Sequence, residues 1–208
     1  MKHIYLVRHG QTDANKNKIW IGARSQYKLN DDGRKEAAYA GAKLREFELD
    51  ATEIYASPVE RAFQTAKIVQ SKLALPIVPI PDLSEMFFGD LEGYDEQKFE
   101  TDFPLAYAEW LKSSLDFYPP NGESGKRFYV RAIEAITEIS TTAKTQDVII
   151  ITHSGIIKMF LANILQIDLN VGWRNLELPE TSTGSITKIL MNDSKFSFLE
   201  NINIGIDG

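Results

Sequence analysis

Val148-Ile149-Ile150-Ile151-Thr152-His153-Ser154-Gly155 is the stretch on which the fold turns. Four β-branched residues in succession, with no polar residue at alternate positions, describe a strand covered on both faces. Strands of that kind belong to parallel sheets with helices on either side. The run stops at a histidine, and an apolar segment of helical length follows to about Leu165.

The same pattern stands at the start of the chain. His3-Ile4-Tyr5-Leu6-Val7 reads as a buried strand and breaks into Arg8-His9-Gly10-Gln11-Thr12, with Asn15 just beyond. Gly10 allows a tight turn and close backbone approach to a ligand. Arg8 offers a planar fork for phosphate or carboxylate. His9 can be a base, a metal ligand or a nucleophile.

Other elements follow in alternation. A helix is expected from about Asp31 to Phe47, capped by Asn30, with Ala37, Ala40, Gly41, Leu44 and Phe47 on one face. Glu53 to Ala56 is a short strand. Ser57-Pro58-Val59-Glu60 then reads as a helix start: Ser57 at the cap, Pro58 at the first helical position and Glu60 closing a capping box. That helix runs to about Leu73, burying Val59, Ala62, Phe63, Ala66, Val69 and Leu73, with Arg61 in its first turn. Ile77 to Ile80 is a strand whose prolines favour an edge. Pro81 to about Phe103 reads as irregular. Leu105, Ala108, Leu111 and Leu115 mark a short helix, and Ser124 to Ala143 a longer one. Ser185 to Met191 and Phe196 to Asn201 form a hairpin around Asn192-Asp193.

Strands alternating with helices imply an α/β fold, a mostly parallel sheet covered on both faces, in one domain over residues 1–208. Ligands of such sheets bind beyond the carboxyl ends of the strands. Arg8 with His9, Arg61, and His153 fall independently at three such ends.

The totals narrow the chemistry. The chain has 208 residues, 43% hydrophobic and 25% charged, with a net charge of −6, which argues against a nucleic-acid surface. It has no cysteine, so thiol catalysis and disulfides are excluded, and its three histidines form no metal-binding motif. No apolar run is long enough to span a membrane and no signal pattern opens the chain, so a cytoplasmic protein without metal or cofactor is expected.

Two arginines and two histidines suit a phosphoryl group, whose transfer needs alignment and positive charge more than covalent help. Arg8 and Arg61 supply forked donors, and helix N-termini after Gly10 and His153 can add N–H groups. One histidine can be the nucleophile, attacking as neutral imidazole, while the other donates to the transferring group. A loop carboxyl such as Glu85 can protonate the leaving alcohol.

Arg8-His9-Gly10 with Gln11-Thr12 and Asn15 resembles the signature of the histidine phosphatase superfamily, also called phosphoglycerate mutase-like. Ser57 to Ala66 resembles its second motif, Glu85 to Gly93 the proton-donor segment of its phosphatase branch, Gly122-Glu123-Ser124 a further block, and Thr152-His153-Ser154-Gly155 the last motif. The resemblance implies a three-layer α/β/α sandwich and a metal-independent phosphomonoesterase of histidine acid phosphatase type. It makes His9 the nucleophile that becomes phosphohistidine, makes Arg8, Arg61 and His153 the phosphate pocket and Glu85 the acid, and adds Gln11, Asn15 and Ser154 as substrate-binding residues. It implies a small phosphorylated metabolite as partner, no nucleic acid or membrane, and leaves room for a homodimer. One stretch departs from the family pattern: Gly22 to Asn30 is a residue longer than usual and lacks an Asp and a Pro, which alters the rim near Arg24 and Lys28.

Phosphoglycerate mutase is the alternative within the resemblance, and a non-catalytic phospholigand-binding regulator a second. Between Met86 and Glu123 the only basic residues are Lys98 and Lys112, too few for a substrate with a second anionic group. A dead regulator would be expected to lack the nucleophile or the acid, and candidates for both are present. Trp110, Phe117 and Tyr118 fit either a substrate lid or ordinary packing.

Overall fold

The computed structural model describes residues 1–202. Among these, a six-stranded sheet runs in the order β3-β2-β4-β1-β5-β6. The strands are β1 (Lys2–Arg8), β2 (Ile54–Ala56), β3 (Ile77–Pro79), β4 (Asp147–Thr152), β5 (Ile186–Asn192) and β6 (Lys195–Ile202). β1 to β4 are mutually parallel, and β5 pairs antiparallel with β1 and with β6. The helices are α1 (Asp13–Lys16), α2 (Asp31–Glu46), α3 (Glu60–Leu73), α4 (Glu96–Asp102), α5 (Pro104–Lys112), α6 (Gly125–Thr142) and α7 (Ser154–Leu165).

The unbroken apolar runs are explained by what covers each face. Tyr5, Val7, Ile149 and Ile151 pack with Ala40 and Leu44 of α2 and Ala66 and Val69 of α3. The alternate residues Ile4, Leu6, Val148 and Ile150 pack with Phe128 and Ile136 of α6 and with Ile157 and Phe160 of α7. Side chains of a strand alternate between faces, so a strand with helices on both sides has no polar positions to show. This is the three-layer α/β/α sandwich expected from the sequence.

Five local readings change. α3 begins at Glu60 with Val59 at its cap and no side-chain cap bond, so the capping box at Ser57 and Glu60 does not form. Phe63 and Leu73 on α3 are only partly buried. In α5 the buried residue is Trp110, whereas Leu105 is 84% exposed. The apolar stripe had followed the wrong face, because one aromatic ring outweighs scattered leucines in burial. The segment read as irregular contains α4, capped by Asp95, whose side chain accepts from the Lys98 N–H at 2.8 Å. In the final hairpin the turn is Asp193-Ser194, both at positive φ, with Asn192 paired to Lys195.

No helix among the described residues is long and apolar enough to cross a membrane.

Candidate active site

Strand register brings the site together. Arg8 lies opposite Thr152 in the β1–β4 ladder, so His9 and His153 leave the sheet side by side. The His9 N–H donates to the Thr152 carbonyl at 2.9 Å, and the His9 carbonyl accepts from Gly184 N–H at 3.2 Å. The two imidazole rings sit 5.2 Å apart at 62°. On the other side of β4, the Ser57 N–H donates to the Ile151 carbonyl at 2.9 Å. The Ser57 hydroxyl, expected to cap α3, instead lies 2.8 Å from His153 Nε2 and accepts the Val59 N–H at 3.3 Å.

α3 delivers Arg61 into this cluster, fully buried. Its Nε donates to His9 Nε2 at 3.1 Å, and its terminal nitrogens reach the Gly22 carbonyl at 3.2 Å and the Ile21 and Ser25 carbonyls at 3.4 Å. Arg8 donates from Nη1 to the Thr181 carbonyl at 2.7 Å, and its buried Nε has no partner among the described residues. His153 Nδ1 is likewise buried and unpartnered. Buried polar atoms left without partners are rare in folded chains, and these two belong to residues at the ends of the neighbouring strands β1 and β4.

The protonation of His9 follows from geometry. Its Nδ1 lies 2.8 Å from the Gly10 carbonyl, which can only accept, so Nδ1 carries the hydrogen. Nε2 then holds the free lone pair, and Arg61 donates to it. Burial pushes the His9 pKa well below 6.5, helped by the positive charges of Arg61 and Arg8, against the pull of the Gly10 carbonyl. His153 is pushed well below 6.5 in the same way, by burial first and then by Arg61, His9 and Arg8. Burial also lowers the Arg61 pKa to about 10, opposed by Glu85 and Glu92.

These shifts have a consequence for pH dependence. Below the ordinary histidine pKa the unfolded chain takes up protons that the folded His9 and His153 refuse. Stability is therefore retained above about pH 6.5 and falls as pH drops below it, by up to about 1.4 kcal/mol per pH unit for each histidine. Denaturant unfolding between pH 7 and pH 5 should show that slope, and the imidazole 15N spectrum at pH 6 should show both residues neutral. A protonated His9 at pH 6 would contradict the buried, cation-flanked environment.

Two expectations about the loop after β1 need correction. The amides there are already committed: Gly10 N–H donates to Thr65 Oγ1 at 3.1 Å, Gln11 N–H to Glu36 Oε2 at 2.7 Å, and Thr12 N–H to Asn15 Oδ1 at 3.1 Å. They are not free for a phosphate, and α1 beyond them has only four residues. The close approach that Gly10 permits is to α2. A Cβ on Gly10 would run into the Gly33 carbonyl oxygen.

Of the clustered acidic residues, Glu85 is the one at the strand ends. It is buried, its Oε1 accepts from its neighbour Met86 N–H at 3.0 Å, and its Oε2 accepts from Gly155 N–H at 3.1 Å in the first turn of α7. Asp90 instead accepts from Asn121, Glu92 from the Ser25 hydroxyl, and Glu96 from the Tyr107 hydroxyl with Arg174 as its ion pair. The Glu85 loop is braced from behind. Arg131 forks onto Glu123 at 3.0 and 2.7 Å and donates to the Asp82 and Ser84 carbonyls, both at 2.8 Å. Glu123 N–H donates to the Phe87 carbonyl at 2.7 Å, and Thr152 Oγ1 to the Leu83 carbonyl at 2.6 Å.

The remaining sequence candidates are nearby but more occupied. Gln11 Oε1 accepts from Asn30, Asn15 Oδ1 closes the capping box of α1 with Thr12, and the Ser154 hydroxyl lies 3.2 Å from Thr181 Oγ1. Sequence reasoning missed Ser57 as a partner of His153, Thr181 as the anchor of Arg8, and Glu36. Buried Glu36 joins Gln11 N–H to the Thr183 hydroxyl, 2.9 Å from its Oε1. Its signal was a carboxylate one turn before Ala40 on the apolar stripe of α2. Thr181 and Thr183 lie in an aperiodic loop and carried no signal.

Comparison with known proteins gives the family. Residues 4–203 match the model of the histidine phosphatase superfamily, branch 1, and the chain belongs to that family. It is 28% identical over 170 residues to the adenosylcobalamin/alpha-ribazole phosphatase of Escherichia coli K12, covering 82% of each chain. It is 30% identical over 165 residues to a metal-independent phosphoserine phosphatase of Arabidopsis thaliana, covering 78% of this chain and 68% of the relative. Bacillus stearothermophilus YhfR superposes with a TM-score of 0.85 at 29% identity, over 95% of both chains.

Proposed function

We propose that the protein hydrolyses phosphomonoesters of small metabolites through a phosphohistidine at His9, without a metal. The observation that carries this reading is the unprotonated Nε2 of His9, set by the Nδ1–Gly10 bond, with its lone pair facing the buried guanidinium of Arg61, which turns to the phosphoryl oxygens when substrate enters. Arg8, Arg61 and His153 surround the equatorial phosphoryl oxygens. The Ser57 hydroxyl gives its proton to His153 Nε2, and the unpartnered His153 Nδ1 carries the imidazole hydrogen and donates it to the phosphoryl group. Nε2 of His9 attacks phosphorus as the ester P–O bond breaks, and Glu85 protonates the departing alkoxide. Ionised Glu85 then takes a proton from water as its oxygen attacks the phosphohistidine, which releases phosphate and restores both residues. Arginine charges, rather than a metal, neutralise the transferring group, and they repel cations from the same volume. Gln11, Asn15 and Ser154 line the approach.

Hydrolytic relatives, one named a metal-independent phosphatase, support hydrolysis over mutase chemistry. So does the acid segment, where Lys98 lies over the Tyr94 ring. The test is phosphate release from a panel of phosphorylated metabolites in excess chelator, with alkaline-quenched trapping of a phosphoenzyme. Turnover with an acid-labile, base-stable phosphoenzyme is expected. Rapid isomerisation of 3-phosphoglycerate without hydrolysis would make it a mutase, and binding without turnover a regulator.

A further inference from the structure

A cavity of about 480 Å³ is walled by segments that also carry active-site residues, and its walls are unusual for a phosphate site. Trp20, Phe88, Trp110, Trp173 and Leu176 supply apolar and aromatic surface, and Lys158 supplies a cation. The elements that build it are those that build the active site. Trp20 precedes Ile21 and Gly22, whose carbonyls receive Arg61. Phe88 lies three residues beyond Glu85, and Lys158 lies one turn of α7 beyond Ser154.

The walls are stiff. The Trp20 ring meets Phe88 and Trp110 edge-on, each at 5.2 Å, and the Trp20 backbone is held through Tyr94 and Gly93. The two other charged residues at the rim satisfy each other: Arg174 pairs with Glu96 and lies over the Trp110 ring, 5.4 Å from its centre. That leaves Lys158 as the uncommitted charge, with no hydrogen bond or ion pair among the described residues. It is mostly buried; burial and the charge of Arg8 lower its pKa, and Glu85 opposes them. A single ammonium on the cavity wall feels the charges of both Arg8 and Glu85.

We propose that this cavity is the leaving-group pocket, and that the substrates are phosphomonoesters whose alcohol carries a planar aromatic ring with an anionic or hydrogen-bond-accepting substituent facing Lys158. This rests on the phosphohistidine reading, because the alcohol must leave on the side of Glu85, whose segment supplies Phe88 to the cavity wall and whose charge reaches Lys158. Flat rings gain area and edge-to-face contacts against such walls, whereas a short aliphatic alcohol leaves them unfilled. Lys158 adds the polar contact that fixes orientation.

The test compares ethyl, benzyl and 4-carboxybenzyl phosphate, whose alcohols have similar acidity, so that recognition rather than leaving-group chemistry is read. Benzyl phosphate should exceed ethyl phosphate in kcat/KM by about tenfold or more, and the carboxylate should add a further step of similar size. Trp173→Ala should bring the benzyl-to-ethyl ratio toward one. Lys158→Met should remove the advantage of the carboxylate over plain benzyl. Equal wild-type rates on benzyl and ethyl phosphate, or a ratio that survives Trp173→Ala, would overturn the pocket while leaving hydrolysis intact. Equal losses on both benzyl esters in Lys158→Met would overturn the role of Lys158. If no ester is hydrolysed, calorimetric binding of benzylphosphonate against ethylphosphonate still decides the pocket, since tighter benzylphosphonate binding lost in Trp173→Ala supports it and equal binding refutes it.

Discussion

His9→Ala should abolish turnover of every phosphomonoester, lowering kcat by at least about 10⁴-fold. No second nucleophile stands ready. His153 is 5.2 Å away across the ring pair, but its Nε2 is engaged by the Ser57 hydroxyl. The arginines remain in the variant, so phosphate or vanadate should still bind, and the loss should fall on kcat with the phosphoenzyme absent from alkaline-quenched samples that retain it in the wild type. Removing the imidazole also leaves Arg61 Nε without its acceptor, so folding should be checked by thermal unfolding alongside the rate. Residual activity within tenfold of wild type, in a folded variant, would show that His9 Nε2 is not the attacking atom. His153→Ala provides the contrast: it should slow formation of the phosphoenzyme without preventing it, because a donor is lost and not the nucleophile.

The layers and the site differ in how far the sequence carried them. Strands buried on both faces announce themselves, because Val148 to Ile151 and Ile4 to Val7 leave no polar gap. Once such strands are parallel, the residues that follow them are adjacent by register alone, which is why His9 and His153 could be paired from a one-dimensional pattern. Glu85 was harder, since acids crowd its segment and only three-dimensional contacts show that Asp90, Glu92 and Glu96 are each committed elsewhere. Ser57 misled for a physical reason. Ser-Pro before an apolar helix is good cap chemistry locally, but the buried imidazole of His153 competes for the same hydroxyl and wins. The aromatic cavity draws on residues from at least five separate segments with no shared periodicity, so Trp110 alone hints at it, and a lid and core packing read alike from sequence. Phe117 proved to be core and Tyr118 exposed.

Glu85→Gln should slow esters of poorly acidic alcohols by about 10² to 10⁴-fold while leaving the first step with 4-nitrophenyl phosphate nearly unchanged. The substitution keeps the volume of the side chain, and its amide oxygen can still accept from Gly155 N–H, so the transferable proton is lost at the cost of one further contact, the acceptor for Met86 N–H. A nitrophenolate leaves without protonation, whereas an alkoxide cannot. Water attack on the phosphohistidine also draws on Glu85, so steady-state rates would mix the two roles. The burst of nitrophenol in rapid-quench experiments isolates phosphorylation and is the quantity to compare. Gly155→Ala offers a second route to the same loss, because a Cβ there would run into Glu85 Oε1 and push the carboxyl from its place without altering its chemistry. Both variants should therefore discriminate against poor leaving groups. If Glu85→Gln slows the nitrophenyl burst as much as the alkyl ester, Glu85 acts on the phosphoryl group or its arginines and not on the departing oxygen.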